Sequence, residues 1–364
     1  MTLYAALFDL VLRRLAPEQA HRLAAATLRA AYRIPGCAVL LRRLLATRDP
    51  VLRVDALGLS FPSPLGIAAG LDKDASCFEG LGLLGFGFVE VGTVTAHPQP
   101  GNPPPRVFRV LRDRALLNRM GFPNPGASAV AARLRRRSGR VVVGANVGKS
   151  MVAPLEQAAG DYRAGVRALA PVCDYLVLNV SSPNTPGLKQ MQTVELLRPL
   201  LRDVQRELRE MGVELPLLVK VGPDLADTQL LAIADLALEL GIDGIVAVNT
   251  SEDRSLLSDP SALAGVEGGG VSGPPLRARA VEVLRLLRGR VGDRLVLISV
   301  GGISTPEDAW ERILAGATLL QAYTGFVYAG PLWPSRVNRA LARRVRAAGA
   351  GSIQQLVGGL EQPL

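Results

Sequence analysis

Eight short apolar runs, each ending in polar residues and followed by a helix-like segment, dominate the chain from Pro64 onward. They are Pro64 to Ala68, Phe88 to Val91, Val141 to Ala145, Tyr175 to Leu178, Leu217 to Val219, Gly244 to Val248, Val296 to Val300 and Leu319 to Ala322. A strand covered on one face alternates apolar and polar residues, whereas a strand covered on both reads as a continuous apolar run. Doubly wound sheets usually hold fewer strands, so eight such runs predict an α/β fold, a closed (β/α)8 TIM barrel. With 364 residues and 48% apolar content, the chain can hold that barrel, a large core and a small addition.

A barrel gathers the C-terminal ends of its strands at one mouth. Following the runs are Asp72 and Lys73, Thr93, Asn146, Asn179, Lys220, Asn249 and Thr250, Gly301 and Gly302, then Tyr323 and Thr324. These groups are expected to converge although much of the chain separates them. The richest loop runs from Asn179 to Gly187, where two amides and two serines are followed by Pro183, Pro186 and Gly187. Asparagine donates and accepts at once, which suits a flat, neutral ring carrying adjacent carbonyl and N–H groups. An ordinary turn rich in Asn, Ser and Pro is an equal reading of that loop taken alone. Glycines after the seventh run, with Tyr323 and Thr324 after the eighth, stand where barrels commonly hold phosphate, and Ser272 and Gly273 can add donors. Two look-alikes are set aside. Gly80 to Gly85 spells GxGxxG but follows a helix-like stretch instead of a strand, and Gly144 to Ser150 has one residue too few for a P-loop.

The N-terminal piece differs in character. Leu3, Leu7, Leu10 and Val11 share a helical face, and after Pro17 a second stripe runs through Ala20, Leu23, Ala24, Thr27, Leu28 and Ala31. Arg13, Arg14, Arg22, Arg29 and Arg33 decorate this pair. Two amphipathic helices over residues 1–45 can lie on an anionic lipid surface or pack as a hairpin on the domain formed by residues 46–364. The formal charge of +10 invites a nucleic-acid reading. Scattered arginines and only 4% aromatic residues argue against it. Cys37, Cys77 and Cys173 lack CxxC spacing and read as small core residues. No signal peptide is expected at the N-terminus. Ile313 to Ser335 is uncharged over 23 residues, but its glycines and prolines make a membrane-spanning helix improbable.

His21 and His97 are the two histidines, so Ser181 or Ser182 has little from which to build a triad. Neither HExxH nor clustered carboxylates suggest a metal. Lysines, amides and hydroxyls orient and stabilise but carry no redox chemistry, so a cofactor must supply the hard step. Lys220 suits a Schiff base, a phosphate ligand or a cation beside a flavin ring.

Eight motifs, in this order and spacing, resemble those of class 2, quinone-dependent dihydroorotate dehydrogenases. They are Gly66-Ile-Ala-Ala-Gly-Leu-Asp-Lys73, Glu90-Val-Gly-Thr-Val-Thr95, Gln99-Pro-Gly-Asn102, Asn118-Arg-Met-Gly-Phe122, Asn179 to Leu188, Val248-Asn-Thr250, Gly269-Gly-Val-Ser-Gly273 and Val300-Gly-Gly-Ile303. The resemblance implies an FMN-dependent barrel that oxidises dihydroorotate to orotate in pyrimidine synthesis and passes electrons to a membrane quinone. It makes Ser182 the base for the C5 proton while hydride leaves C6, with Thr185 and Phe122 assisting. The related soluble class has cysteine at this place. Lys73, Asn118, Arg119, Met120, Gly121, Phe122, Asn179, Asn184, Asn249 and Thr250 would bind the substrate. Ala69, Gly70, Lys73, Thr93, Asn146, Asn179, Lys220, Val248, Ser272, Gly273, Gly301, Gly302, Tyr323 and Thr324 would hold FMN, with Lys220 near the flavin N1 and O2 edge. His21 and Arg109 would flank the quinone head group. Val248 stands where many relatives have threonine, and Thr93 where serine is common. The same resemblance implies a monomer, peripheral on the cytoplasmic face of a bacterial inner membrane, with no nucleic-acid partner. The rivals are a fumarate- or NAD-linked soluble enzyme, a dihydrouridine synthase, and a non-catalytic membrane-surface protein.

Overall fold

The computed structural model describes residues 3–46, 49–139, 141–185 and 187–359. Pro186 of the serine loop, and the outermost residues of the two expected domains, lie outside that set.

Among the described residues thirteen strands follow in chain order: β1 (Val54–Ala56), β2 (Leu59–Phe61), β3 (Leu65–Ile67), β4 (Phe88–Val94), β5 (Val107–Val110), β6 (Ala115–Asn118), β7 (Val142–Val147), β8 (Tyr175–Asn179), β9 (Leu217–Val221), β10 (Gly244–Ala247), β11 (Gly270–Ser272), β12 (Val296–Val300) and β13 (Leu319–Ala322). Eight of them, β3, β4, β7, β8, β9, β10, β12 and β13, pair in parallel and in sequence order until β13 meets β3 and closes the barrel. These are the eight runs read from the sequence. Twelve α-helices among the described residues accompany them: α1 (Leu3–Leu10), α2 (Pro17–Arg33), α3 (Pro35–Leu45), α4 (Phe78–Leu83), α5 (Ala127–Leu134), α6 (Ala158–Leu169), α7 (Val194–Glu210), α8 (Asp227–Leu240), α9 (Arg277–Val291), α10 (Pro306–Leu314), α11 (Thr324–Ala329) and α12 (Trp333–Ala347).

Local sequence explains the pieces. In α7, Leu197, Leu200, Leu201, Val204 and Leu208 recur at helical spacing and are all buried. Helix α10 starts at a capping box: the Thr305 hydroxyl accepts from the Asp308 N–H at 3.1 Å, and the Asp308 carboxylate accepts from the Thr305 N–H at 2.9 Å. At the barrel bottom Phe88 and Tyr175 lie ring to ring at 6.4 Å, and Phe61 of β2 closes the end edge-on to Phe88 at 5.2 Å. Gly66 and Gly144 make room for these rings, since a Cβ on either would fall 2.5 or 2.1 Å from Phe88 or Tyr175. The P-loop look-alike thus begins at a packing glycine inside β7.

Three features were not read from the sequence. Strands β5, β6 and β11 form an antiparallel sheet over the mouth, with Asn118 opposite Gly270. Strand β5 is half-buried and carries Arg109, and β6 and β11, though mostly buried, are short, so no long apolar run marks the sheet. Among the described residues the N-terminal piece has three α-helices, not two, because Pro35 opens α3 as Pro17 opens α2. The expected α2 stripe also divides: Leu28 is half-buried against the barrel side, while Leu23 is 55% exposed. Cys77 and Cys173 are buried as expected, but Cys37 on α3 is only half-buried. Among the described residues no helix is long and apolar enough to cross a membrane. The uncharged stretch from Ile313 is divided among α10, β13, α11 and α12.

Candidate active site

A cleft with about 1080 Å³ of atom-free space opens at the C-terminal ends of the strands, beneath the β5–β6–β11 sheet. Its lining includes Ala69, Gly70, Lys73, Thr93, Asn118, Met120, Gly121, Phe122, Asn179, Ser182, Asn184, Lys220, Val248, Asn249, Thr250, Ser272, Gly273, Gly301, Gly302, Tyr323 and Thr324. Apart from Asp72, which accepts from the Ser76 and Cys77 N–H groups, and Asn146, the residues expected at the mouth come together from seven strand ends and the covering sheet.

On the floor, Lys220 of β9 pairs in register with Asn179 of β8. Both are buried, and burial pulls the Lys220 pKa below the ordinary lysine range while Glu90 partly offsets that fall. Thr93, Asn146 and Lys220 lie inside their strands instead of after them. Asn146 does not reach the cleft surface; it supports Thr93, whose hydroxyl donates to the Asn146 carbonyl oxygen at 2.6 Å. Gln321 of β13 lines the cleft from below.

The serine loop leaves β8 where Tyr162 donates to the Asn179 carbonyl at 2.7 Å. Ser182 is 4% exposed, and its oxygen accepts from the Asn184 N–H at 3.2 Å. The Asn184 amide then donates to the Asn118 side chain at 3.3 Å, joining loop to covering sheet. Thr185 does not line the cleft; its hydroxyl oxygen is buried without a hydrogen-bond partner. Gly270 lets β11 press on the Asn249–Thr250 segment and on the serine loop, because a Cβ there would fall 2.0 Å from the Thr250 hydroxyl and 3.2 Å from the Pro183 ring. Phe122 projects into the cleft from a backbone with φ of 53°. Arg119 turns away, donating to the carbonyls of Pro105 and Glu267 at 3.3 Å each.

Lys73 closes one side and donates to the Gly70 carbonyl. Burial, then the neighbouring Arg106, brings its pKa down to about 8. Arg106 reaches across to Glu18 of α2 at 3.0 Å, an ion pair no sequence motif signalled. At the opposite end, the hydroxyls of Ser272 and Thr324 lie 2.8 Å apart beside Gly273 and Gly302, both with positive φ. Tyr323 stands against Gly70.

His21 sits on α2 with Lys73 and Asp74 among its charged neighbours, and burial pushes its imidazole down to about 4. Arg109 donates to the Leu15 carbonyl at 2.8 Å and lies over the Phe8 ring at 5.9 Å. Among the described residues no hydrogen bond joins His21 to Arg109. Glu90 was missed as a functional candidate although the signal was present: one acidic residue inside the otherwise apolar run Phe88 to Val91.

The sequence model of the family described as dihydroorotate dehydrogenase matches residues 51–345. A dihydroorotate dehydrogenase (quinone) of Thermobifida fusca is 55% identical over 98% of this chain and 96% of its own. One from Mycobacterium tuberculosis is 54% identical over 94% of both chains. The crystal structure of Eimeria tenella DHODH in complex with ferulenol superposes with a TM-score of 0.86 at 35% identity, covering 96% of each chain. Fold, cleft and sequence likeness over nearly the whole length agree, and this chain belongs to the dihydroorotate dehydrogenase family.

Proposed function

We propose that this protein is a quinone-dependent dihydroorotate dehydrogenase that oxidises dihydroorotate to orotate with FMN as its bound cofactor. The single observation that carries the reading is the convergence of Lys73, Asn118, Asn179, Asn184, Asn249 and Thr250 around Ser182 in one cleft. Four amides match the carbonyl and N–H pattern of a dihydropyrimidine, and Lys73 answers its carboxylate.

The donor set fits FMN. Gly273, Gly301 and Gly302 all have positive φ, and with the Ser272 and Thr324 hydroxyls they form a small-residue cradle suited to a phosphate group. Lys220 offers a cation for the flavin edge on which reduction builds negative charge. FMN, held there, would supply the hydride acceptor for C6 of the substrate. Ser182 takes the C5 proton, Thr185 offers an unpaired hydroxyl three residues away for its onward passage, and Phe122 screens the site from water. The Ala69–Gly70 turn, Thr93, Val248 and Tyr323 complete the flavin wall, with Asn146 behind Thr93.

The N-terminal residues 1–45 form a membrane-docking and quinone-access unit beside the catalytic domain of residues 46–364. Support comes from the exposed Leu7, Leu10, Val11, Ile34, Val39, Leu40 and Leu44, and from His21 and Arg109 on its inner side. Through them the protein works as a monomer, peripheral on the cytoplasmic face of a bacterial inner membrane. The test is a purified preparation assayed for flavin absorbance and for dihydroorotate-dependent reduction of a soluble quinone analogue. Turnover with the quinone but not with fumarate or NAD is expected; a colourless protein, or one driven by NAD, overturns the reading.

A further inference from the structure

The cleft stands on a buried carboxylate that is not itself part of its lining. Glu90 of β4 is 0% exposed in the barrel interior. One of its oxygens accepts from the Asn146 amide at 2.7 Å and the other from the Gln321 amide at 2.6 Å. The Lys220 ammonium is 3.9 Å away, too far for a hydrogen bond but close enough for attraction.

A carboxylate only accepts, and this fixes more than its own bonds. Side-chain amides can be turned end for end, and the partner decides which end faces where. Asn146 must turn its NH2 to Glu90, so its oxygen faces Thr93. The Thr93 hydroxyl must then donate, at 2.6 Å, which leaves its oxygen free to accept. The Asn179 amide fills that place at 2.8 Å. Asn179 in consequence presents its own oxygen, which accepts from the Ser181 hydroxyl at 3.1 Å and from the Asn249 amide at 3.4 Å. One acceptor at the barrel axis thus orders donors and acceptors along β4, β7 and β8 as far as the loop after β10.

We infer that Glu90 is the positioning residue that sets the hydrogen-bond polarity of Asn179 and Asn249, and thereby the pattern offered to the pyrimidine ring. The inference rests on the proposed dihydroorotate dehydrogenase reading. Replacing Glu90 by glutamine keeps size and shape but puts a donor where one acceptor stood. Either Asn146 or Gln321 then loses its partner or turns over, and a turn at Asn146 reverses the whole chain.

The reversal can itself be undone. In Glu90→Gln with Asn146→Asp, the new amide donates to the new carboxylate and still accepts from Gln321. The carboxylate at 146 accepts from Thr93 as before, so Thr93, Asn179 and Asn249 regain their directions. The experiment measures the dissociation constant for orotate from its perturbation of flavin absorbance, with FMN content and melting temperature alongside. Glu90→Gln is expected to weaken orotate binding about 10- to 100-fold, the scale set by leaving a buried polar group without its partner. The double variant is expected to recover at least tenfold of that loss. A single variant that binds orotate within about twofold of the wild type overturns the inference, as does a double variant no better than the single. If Glu90→Gln loses FMN or fails to fold, recovery of FMN and orotate binding in the double variant supports the inference and its continued failure overturns it. Wild-type protein that takes no FMN or orotate brings down the functional reading itself, and this inference with it.

Discussion

A serine hydroxyl is a weak base at neutral pH, so Ser182 serves only where geometry holds it and a second group takes the proton onward. Its oxygen is held by the Asn184 N–H, and the buried Thr185 hydroxyl lacks a partner of its own. In the proposed reading, Ser182→Ala removes the acceptor of the C5 proton and nothing that holds FMN. It is expected to slow flavin reduction by dihydroorotate about 10²- to 10⁴-fold in stopped flow, with FMN content unchanged. Flavin loss with normal chemistry in the remaining holoenzyme would show a structural role instead. Lys73 carries a second prediction. With its pKa lowered to about 8, it is charged below that pH and neutral above, so attraction for the orotate carboxylate holds at pH 7 and fails as pH rises. The dissociation constant should therefore rise about tenfold per unit above pH 8, while Lys73→Met binds weakly at every pH. Both residues were legible in the sequence because each lies in the polar segment that follows an apolar run. Glu90 was less so: its role depends on three strands that only the closed barrel brings beside it.

Among the elements, α4 gives the GxGxxG look-alike a physical meaning. A Cβ on Gly80 would fall 2.6 Å from the Leu28 carbonyl of α2, and one on Gly85 would fall 2.5 Å from the Leu45 carbonyl of α3. Two of the three glycines therefore seat the N-terminal helices on the barrel, and Gly82 accommodates Val141. Gly80→Val should lift α2 at a cost of about 1–3 kcal/mol, the range for overpacking. Reduction by dihydroorotate is expected to survive and quinone turnover to fall. Lys73, one of the charged neighbours of His21 on α2, would regain water, so the break in orotate affinity should move above pH 8. Unchanged quinone turnover in that variant would separate α2 from the acceptor path. The barrel strands could be read at this scale because burial on both faces leaves an unbroken apolar run. The covering sheet could not: its strand β5, Val107 to Val110, is half-buried and carries Arg109 in the middle. Nor could the division of the α2 stripe, since helical spacing says which residues share a face but not which neighbour covers it.

For the whole molecule, half of the net charge and most of the large exposed apolar residues meet in residues 1–45. Arg13, Arg14, Arg22, Arg29, Arg33, Arg42 and Arg43 face only Asp9 and Glu18 within residues 1–45, which gives that piece half of the chain's formal +10. The same piece exposes Leu10 at 63%, Leu40 and Leu44 each at 57%. A basic surface near an anionic bilayer gains about 1 kcal/mol per arginine at low salt, and this gain is screened within a Debye length of about 8 Å at physiological ionic strength. Inserted leucines add a contribution that salt does not screen, about 1.5–3 kcal/mol for a side chain fully removed from water. The two parts can be separated by co-sedimentation with vesicles. Binding to anionic vesicles is expected to weaken at least tenfold between low and 0.5 M salt, roughly the screening limit for surface charges, without vanishing. Leu40→Glu with Leu44→Glu should remove the salt-resistant part while leaving flavin reduction by dihydroorotate at the wild-type rate, because neither leucine lines the cleft. If the double variant binds as tightly as the wild type, α3 does not enter the bilayer and the acceptor must reach the flavin from another side. If binding disappears wholly with salt in the wild type, the contact is electrostatic alone and the exposed leucines need a different partner.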